Sequence, residues 1–183
     1  SCKMDIIVEA VDSVSAIINH AKDCRNRMAV LNFSSYKNPG GMFINGSKAQ
    51  EECLCHESCL YNVLSEFVLP FYYWNNRNKN KALYLNRGLY SPSIVFYKDG
   101  NCVLCDVITC AAPNKSAAQK YQNVSDEENT KVLRSRIKFV LDMAKENQVD
   151  LLILGAYGCG VFGQDAKEVA EIFKEYLDTS HKC

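Results

Sequence analysis

The chain has no excess of charge of either sign: 21 basic and 21 acidic residues cancel over 183 positions. No overall field therefore recruits nucleic acid or an acidic membrane surface, and general nucleic-acid binding is not expected. An anionic ligand would have to be held by local dipoles and backbone N–H groups. No apolar run reaches the roughly 18 residues that a membrane span requires. Nothing reads as a signal peptide, an internal repeat or a linker between domains. A Walker loop is missing, because no Gly-Lys-Ser/Thr follows the glycine clusters. So is the usual dinucleotide fingerprint, which needs an acidic residue about 20 positions on, at the end of a second strand. With 48% hydrophobic and 23% charged residues, the composition is that of a globular protein. These absences lead to an expectation of one domain over residues 1–183, cytoplasmic, membrane-free and monomeric.

Cysteine, by contrast, is plentiful. Ten are present: Cys2, Cys24, Cys53, Cys55, Cys59, Cys102, Cys105, Cys110, Cys159 and Cys183. In a short secreted chain they would suggest a disulfide framework. This chain is too long and too apolar to need staples, and several cysteines lie in strand-like apolar runs, where the thiol behaves as a small hydrophobe. Reduced thiols are expected. Cys53-x-Cys55-His56-x-x-Cys59 and Cys102-x-x-Cys105 invite a zinc reading. The first would lie on a helix, where positions i and i+2 diverge, and the second in a strand, where the two side chains point to opposite faces. Neither suits a tetrahedral ion, so no metal and no cofactor is expected.

The order of elements reads as α/β. Asp5–Val8 is a strand. Ser13 is placed to cap a helix with Val14, Ile17, Ile18 and Ala21 on its inner face. Met28–Phe33 is nearly all apolar, which suits a central strand covered on both faces. One helix is expected from Glu51 through Tyr61, then an aromatic segment, Phe67 to Trp74, and a polar tract, 75–81, read as an exposed loop. Lys98-Asp99-Gly100-Asn101 separates two apolar runs and predicts a hairpin. The second run ends in a turn at Thr109–Asn114 that opens a loop of small and polar residues. Ser125 with Glu128 forms a capping box for the longest helix, whose inner face is Leu133, Ile137, Val140, Leu141 and Ala144. Leu151–Leu154 is another buried strand, and Asp165 caps a last helix with Ala166, Val169, Ala170, Phe173 and Leu177 inward.

Two glycine-rich loops carry the chemistry. The first follows the central strand: Asn38-Pro39-Gly40-Gly41-Met42, then Asn45-Gly46-Ser47-Lys48, then Gln50-Glu51-Glu52 at the start of a helix. Consecutive glycines let backbone approach a ligand. The first helical turn offers unpaired N–H groups to anionic or hydroxyl-rich ligands, and a carboxylic acid there is placed to protonate a leaving oxygen. The helix dipole alone also favours acids in a first turn, so a plain cap is the competing reading. The second loop, Gly155 to Gly163, sits between a strand and a helix, the layout that cradles a diphosphate. Its alternative is a tight strand–helix turn.

Taken together, Asn32-Phe33-Ser34-Ser35, Pro39-Gly40-Gly41, Ala49-Gln50-Glu51-Glu52, Leu54-Cys55 and Ser58-x-Leu60-Tyr61 resemble the bacterial-type poly(ADP-ribose) glycohydrolases. Asp99, Thr109-x-x-Ala112-Pro113-Asn114 and the Gly155–Gly163 loop add to the resemblance, which spans residues 5 to 177. It implies a macrodomain-like three-layer α/β/α fold, a mixed central sheet flanked by helices. Its implied ligands are ADP-ribose and poly(ADP-ribose) attached to modified proteins. By this resemblance Glu52 is the catalytic acid and Glu51 positions the ribose. Gly40, Gly41 and Gln50 bind substrate, Gly158, Cys159, Gly160 and Val161 hold the diphosphate, and Phe162 packs on the distal ribose. The implied reaction is hydrolysis of the ribose–ribose bond through an oxocarbenium-like centre. Neighbouring carboxylates on a helix diverge by about 100°, so one transfers the proton and the other holds substrate. Glu52 would then need a raised pKa. Two departures stand out. Met42 replaces the third glycine of the family's run, and the chain ends at Cys183, where the family adds a further strand. Three other readings stay open: a hydrolase that removes mono-ADP-ribose from protein or nucleic acid, a module that binds ADP-ribose without cleaving it, and a thiol enzyme using Cys159 beside a helix start.

Overall fold

Burial explains the place of each strand. The computed structural model describes residues 4–8, 12–24, 26–45, 49–155 and 157–180. Cys2, Gly46, Ser47, Lys48, Ala156 and Cys183, all part of the sequence reading, lie outside the described residues. Strands β1 (Asp5–Val8), β2 (Met28–Asn32), β3 (Leu89–Lys98), β4 (Asn101–Thr109) and β5 (Leu151–Leu154) form one sheet in the order β1-β5-β2-β4-β3. β2 and β5 are buried at every position and take interior places. β1, β5, β2 and β4 run parallel, and β3 closes the sheet antiparallel to β4. Parallel strands buried on both faces need helices on both.

Alternation along β2 divides the core. Val30 packs with Ile17, Leu54, Leu60 and Phe96 on the face covered by α1 (Ser13–His20), α2 (Gln50–His56) and α3 (Leu60–Ser65). Leu31 packs with Leu133, Ile137, Leu152 and Phe173 on the face covered by α6 (Asp126–Glu146) and α7 (Ala166–Ser180). The result is the expected mixed-sheet α/β/α architecture. The hairpin is present, with φ of +49° at Asp99 and +79° at Gly100, the paired positive values of a tight two-residue turn. Ser125 Oγ accepts from the Glu128 N–H at 3.1 Å, and the stripe from Leu133 to Ala144 is buried as predicted.

Five local expectations are corrected. Asp12, not Ser13, caps α1, its Oδ1 accepting from the Ser15 N–H at 2.9 Å. The helix expected from Glu51 to Tyr61 breaks at Glu57–Cys59. Ser58 bridges to Phe96, the Tyr97 N–H donates to Glu57 O at 2.8 Å, and Ser58 Oγ donates to Leu54 O at 2.6 Å. Pairing with the sheet edge thus competes successfully with the helix for these backbone groups. The polar tract is not a plain loop: α4 (Trp74–Arg77) runs through it, and Asn75 is fully buried. A helix, α5 (Lys115–Gln122), stands where a loop was expected. Asn114 Oδ1 caps it, but only Ala118 is buried, so it shows no apolar stripe. Finally, Ala166 and Ala170 of α7 face solvent while Ile172 joins Val169 and Phe173 inside.

The parallel strands β5, β2 and β4 are neighbours, so the segments leaving their carboxyl ends emerge side by side. That edge of an open sheet is where ligands bind.

Candidate active site

The loop after β2 turns back into α2 and sets two carboxyl groups under the crevice. Glu51 is 2% exposed. Its Oε2 accepts from Asn32 Nδ2 and its Oε1 from the Ser35 N–H, each at 2.8 Å. Burial pushes its pKa from an ordinary 4.5 up to about 8, the bonds from Ser35 and Asn32 oppose the rise, and the charge of Glu52 adds to it. Glu51 therefore holds its proton at neutral pH. Glu52 is also buried, with Oε1 accepting from the Met42 N–H at 3.1 Å. Among the described residues its other oxygen has no hydrogen-bond partner.

Gly41 explains how the chain passes over both acids. Its φ is +59°, and a Cβ there would lie 3.1 Å from Glu52 Oε1 and 3.2 Å from Glu51 Oε1. Gly40 is directed elsewhere: a Cβ on it would meet the Tyr61 ring at 2.7 Å, so it packs on α3. Gln50 lines the crevice, but its amide is spent on structure. Oε1 accepts from the Phe33 N–H at 2.8 Å, and Nε2 donates to Leu31 O at 2.9 Å and Ser13 Oγ at 3.1 Å. It pins α2 to the end of β2.

The opposite wall comes from the loop after β5. Gly158, Gly160, Val161 and Phe162 line the same cleft as Gly41, Glu51 and Glu52, a space of about 570 Å³. Gly158 has φ of +76°, and a Cβ there would stand 2.8 Å from Ala112 Cβ. The Ser116 N–H donates to Phe162 O at 3.0 Å, tying this loop to α5. Val161 is 90% exposed and Met42 53%, so both loops present an apolar rim. Cys159 is absent from the cleft lining; its Sγ lies 3.5 Å from Tyr157 O. Burial, and then the charge of Asp165, pushes its thiol upward. A stabilised thiolate is therefore not what the structure holds.

Several lining residues had no role in the sequence reading. Tyr36 and Tyr84 stack at 4.2 Å between ring centroids, and Phe162 tilts against Tyr84 at 6.0 Å. Together they make an aromatic wall from three distant segments, one of them, Tyr84, in an irregular stretch with φ of +63°. Asn32 also donates to Thr109 Oγ1 at 3.1 Å, while its buried Oδ1 has no hydrogen-bond partner among the described residues. Lys37 is the one cationic side chain on the lining among the described residues. No group of three or more metal-ligating side chains gathers among the described residues, and none of their helices is long and apolar enough to cross a membrane. Cys55 and Cys105 are buried, whereas Cys59 and Cys102 are exposed. The arrangement can protonate a ligand oxygen from its floor, receive an anion on one glycine loop and pack a planar ring on one wall.

Comparison with known proteins agrees with this geometry. A family model described as microbial-type PARG, catalytic domain, matches residues 1–99, more than half of the chain. Poly(ADP-ribose) glycohydrolase from Thermomonospora curvata, solved with the inhibitor ADP-HPD, superposes with a TM-score of 0.85 at 34% identity. That match covers 93% of this chain and 65% of the other, so this chain spans just under two thirds of that protein. Poly(ADP-ribose) glycohydrolase (PARG) from Deinococcus radiodurans in complex with ADP-ribose gives a TM-score of 0.86 at 34% identity, over 97% of this chain and 73% of that one. A second crystal form of the same complex gives 0.84 at 36% identity with the same coverage. No curated protein matches the chain.

Proposed function

Since this chain belongs to the microbial-type PARG catalytic-domain family, we propose that it hydrolyses the ribose–ribose O-glycosidic bonds of poly(ADP-ribose) and releases ADP-ribose. The observation that carries the proposal is one cleft lined by the Glu51–Glu52 pair on one side and by the Gly158–Phe162 loop on the other. The family's structures bound to ADP-ribose and to the inhibitor ADP-HPD support the same ligand here. The proposal includes the setting: one macrodomain-like catalytic domain, a monomer acting in the cytoplasm on polymer attached to modified proteins.

In this reading Glu52 is the acid, because among the described residues one of its oxygens has no partner and can meet substrate, while both Glu51 oxygens are engaged. Glu52 gives its proton to the departing 2′-oxygen as the glycosidic C–O bond breaks and its electron pair goes to that oxygen. An oxocarbenium-like centre is left on the anomeric carbon. Water then adds there, and its proton returns to Glu52. Glu51, still protonated, adds no second negative charge beside the newly ionised Glu52. The diphosphate lies on the Gly158–Gly160 turn, the adenine end packs toward Tyr36 and Tyr84, and Phe162 borders the distal ribose.

Met42 favours a second reading, a binding module, because its side chain borders the cleft where the family carries glycine. One experiment separates the two. Wild type and Glu52→Gln are incubated with auto-modified poly(ADP-ribose), and released ADP-ribose is followed over time. Release by wild type alone, with ADP-ribose affinity retained in the variant, is expected. Equal behaviour of the two toward polymer removes the enzyme reading, and a thermal shift with ADP-ribose but no release leaves the binding module.

A further inference from the structure

A second, smaller cavity of about 310 Å³ adjoins the active cleft, bordered by Lys37, Asn38, Pro39, Val68, Tyr73 and Asn76. Lys37 and Asn38 border both spaces, so this short segment is a shared wall. Two residues earlier, the Ser35 N–H holds Glu51. The wall therefore stands at the carboxyl end of the active cleft. Tyr72 also lines the second cavity; it is almost wholly buried, and among the described residues its hydroxyl has no hydrogen-bond partner.

The rim has the chemistry of a nucleotide site. Tyr73 is 56% exposed and Val68 44%, carried on a π-helical segment, Val68–Tyr73. Arg77 lies over the Tyr73 ring, 5.7 Å from its centroid. Among the described residues, neither Lys37 on the wall nor Arg77 over Tyr73 forms an ion pair. The support is rigid: buried Asn75 donates to Tyr36 O at 2.8 Å and accepts from Arg87 Nη1 at 3.2 Å, and Arg87 lies 4.0 Å from the Trp74 centroid.

Resting on the glycohydrolase reading, we propose that this second cavity is the subsite for the leaving-group side of the cleaved bond. It takes the next ADP-ribose unit of the chain, stacking the adenine on Tyr73 and meeting the diphosphate with Lys37 and Arg77. A bond between two units leaves one unit on each side of the acid. The first fills the active cleft, and the geometry puts the second past the Lys37–Asn38 wall. An aromatic side chain with cations beside it is the general solution for holding a base and its phosphates without reading sequence.

The test is titration of the Glu52→Gln protein with ADP-ribose and with the ADP-ribose dimer. The dimer should bind about tenfold more tightly, the worth of one stacked base. Tyr73→Ala should bring the dimer-to-monomer ratio close to one, and Val68→Glu, which sets a negative charge in the cavity, should do the same. Both positions are substantially exposed, so neither change removes core packing. Equal affinity for monomer and dimer, or an advantage that survives both substitutions, overturns the proposal. Failure of the hydrolysis reading looks different: wild type releases nothing from polymer while the dimer preference and its loss in the variants persist, which still supports a second-unit subsite.

Discussion

Replacing Glu51 by glutamine tests the electrostatics of the site without requiring turnover. The folded state holds a proton on Glu51 up to about pH 8, whereas the unfolded chain releases it near 4.5. Between those values the folded protein binds more protons than the unfolded one, so wild-type stability must fall as pH rises through the window. One proton corresponds to about 1.4 kcal/mol per pH unit, and about 5 kcal/mol across the interval. Glutamine keeps the acceptor for the Ser35 N–H. Its amide nitrogen meets Asn32, whose own amide can turn to present the buried Oδ1 that lacks a partner. At pH 5 the variant should match wild type to within about 1 kcal/mol. At pH 9 it should be the more stable protein, with a urea midpoint higher by about 2 M for a chain of this size. Urea titrations of both proteins from pH 5 to 9 decide it. Parallel stability curves would show that Glu51 is ionised in the folded state and that the reasoning on its burial is wrong.

Two glycines give opposite expectations. Gly41→Ala forces a left-handed backbone on alanine and presses a methyl group to 3.1 Å from Glu52 Oε1. The variant should lose about 1–2 kcal/mol in thermal denaturation and most of its ADP-ribose release; full activity would mean that the two carboxyl groups are not held as described. At Gly160 a Cβ meets nothing within 4 Å, although the residue lines the cleft. Gly160→Ala should leave the melting temperature unchanged yet weaken ADP-ribose severalfold in calorimetry. Unchanged affinity would place the diphosphate elsewhere.

What local sequence determined is considerable. Met28–Asn32 and Leu151–Leu154 read as doubly covered strands, Ser125 with Glu128 as a cap, and Asp99-Gly100 as a hairpin turn, because each depends on residues within a few positions. Both cleft loops were legible for the same reason: strand, glycines and acidic helix start are contiguous. Tertiary structure decided the rest. Ser58 leaves its helix because Phe96, 38 positions on, offers it a strand partner. Asn75 is buried because Tyr36 and Arg87 satisfy its amide. Tyr36, Tyr84 and Phe162 become one wall only where three crossings of the sheet end together. Above all, Glu51 and Glu52 are alike as neighbours in sequence. That Glu51 keeps its proton is set by the water excluded around it, against which the bonds from the Ser35 N–H and the Asn32 side chain act. Desolvation is a property of everything packed around a group, so its magnitude belongs to the folded chain and not to the order of its residues.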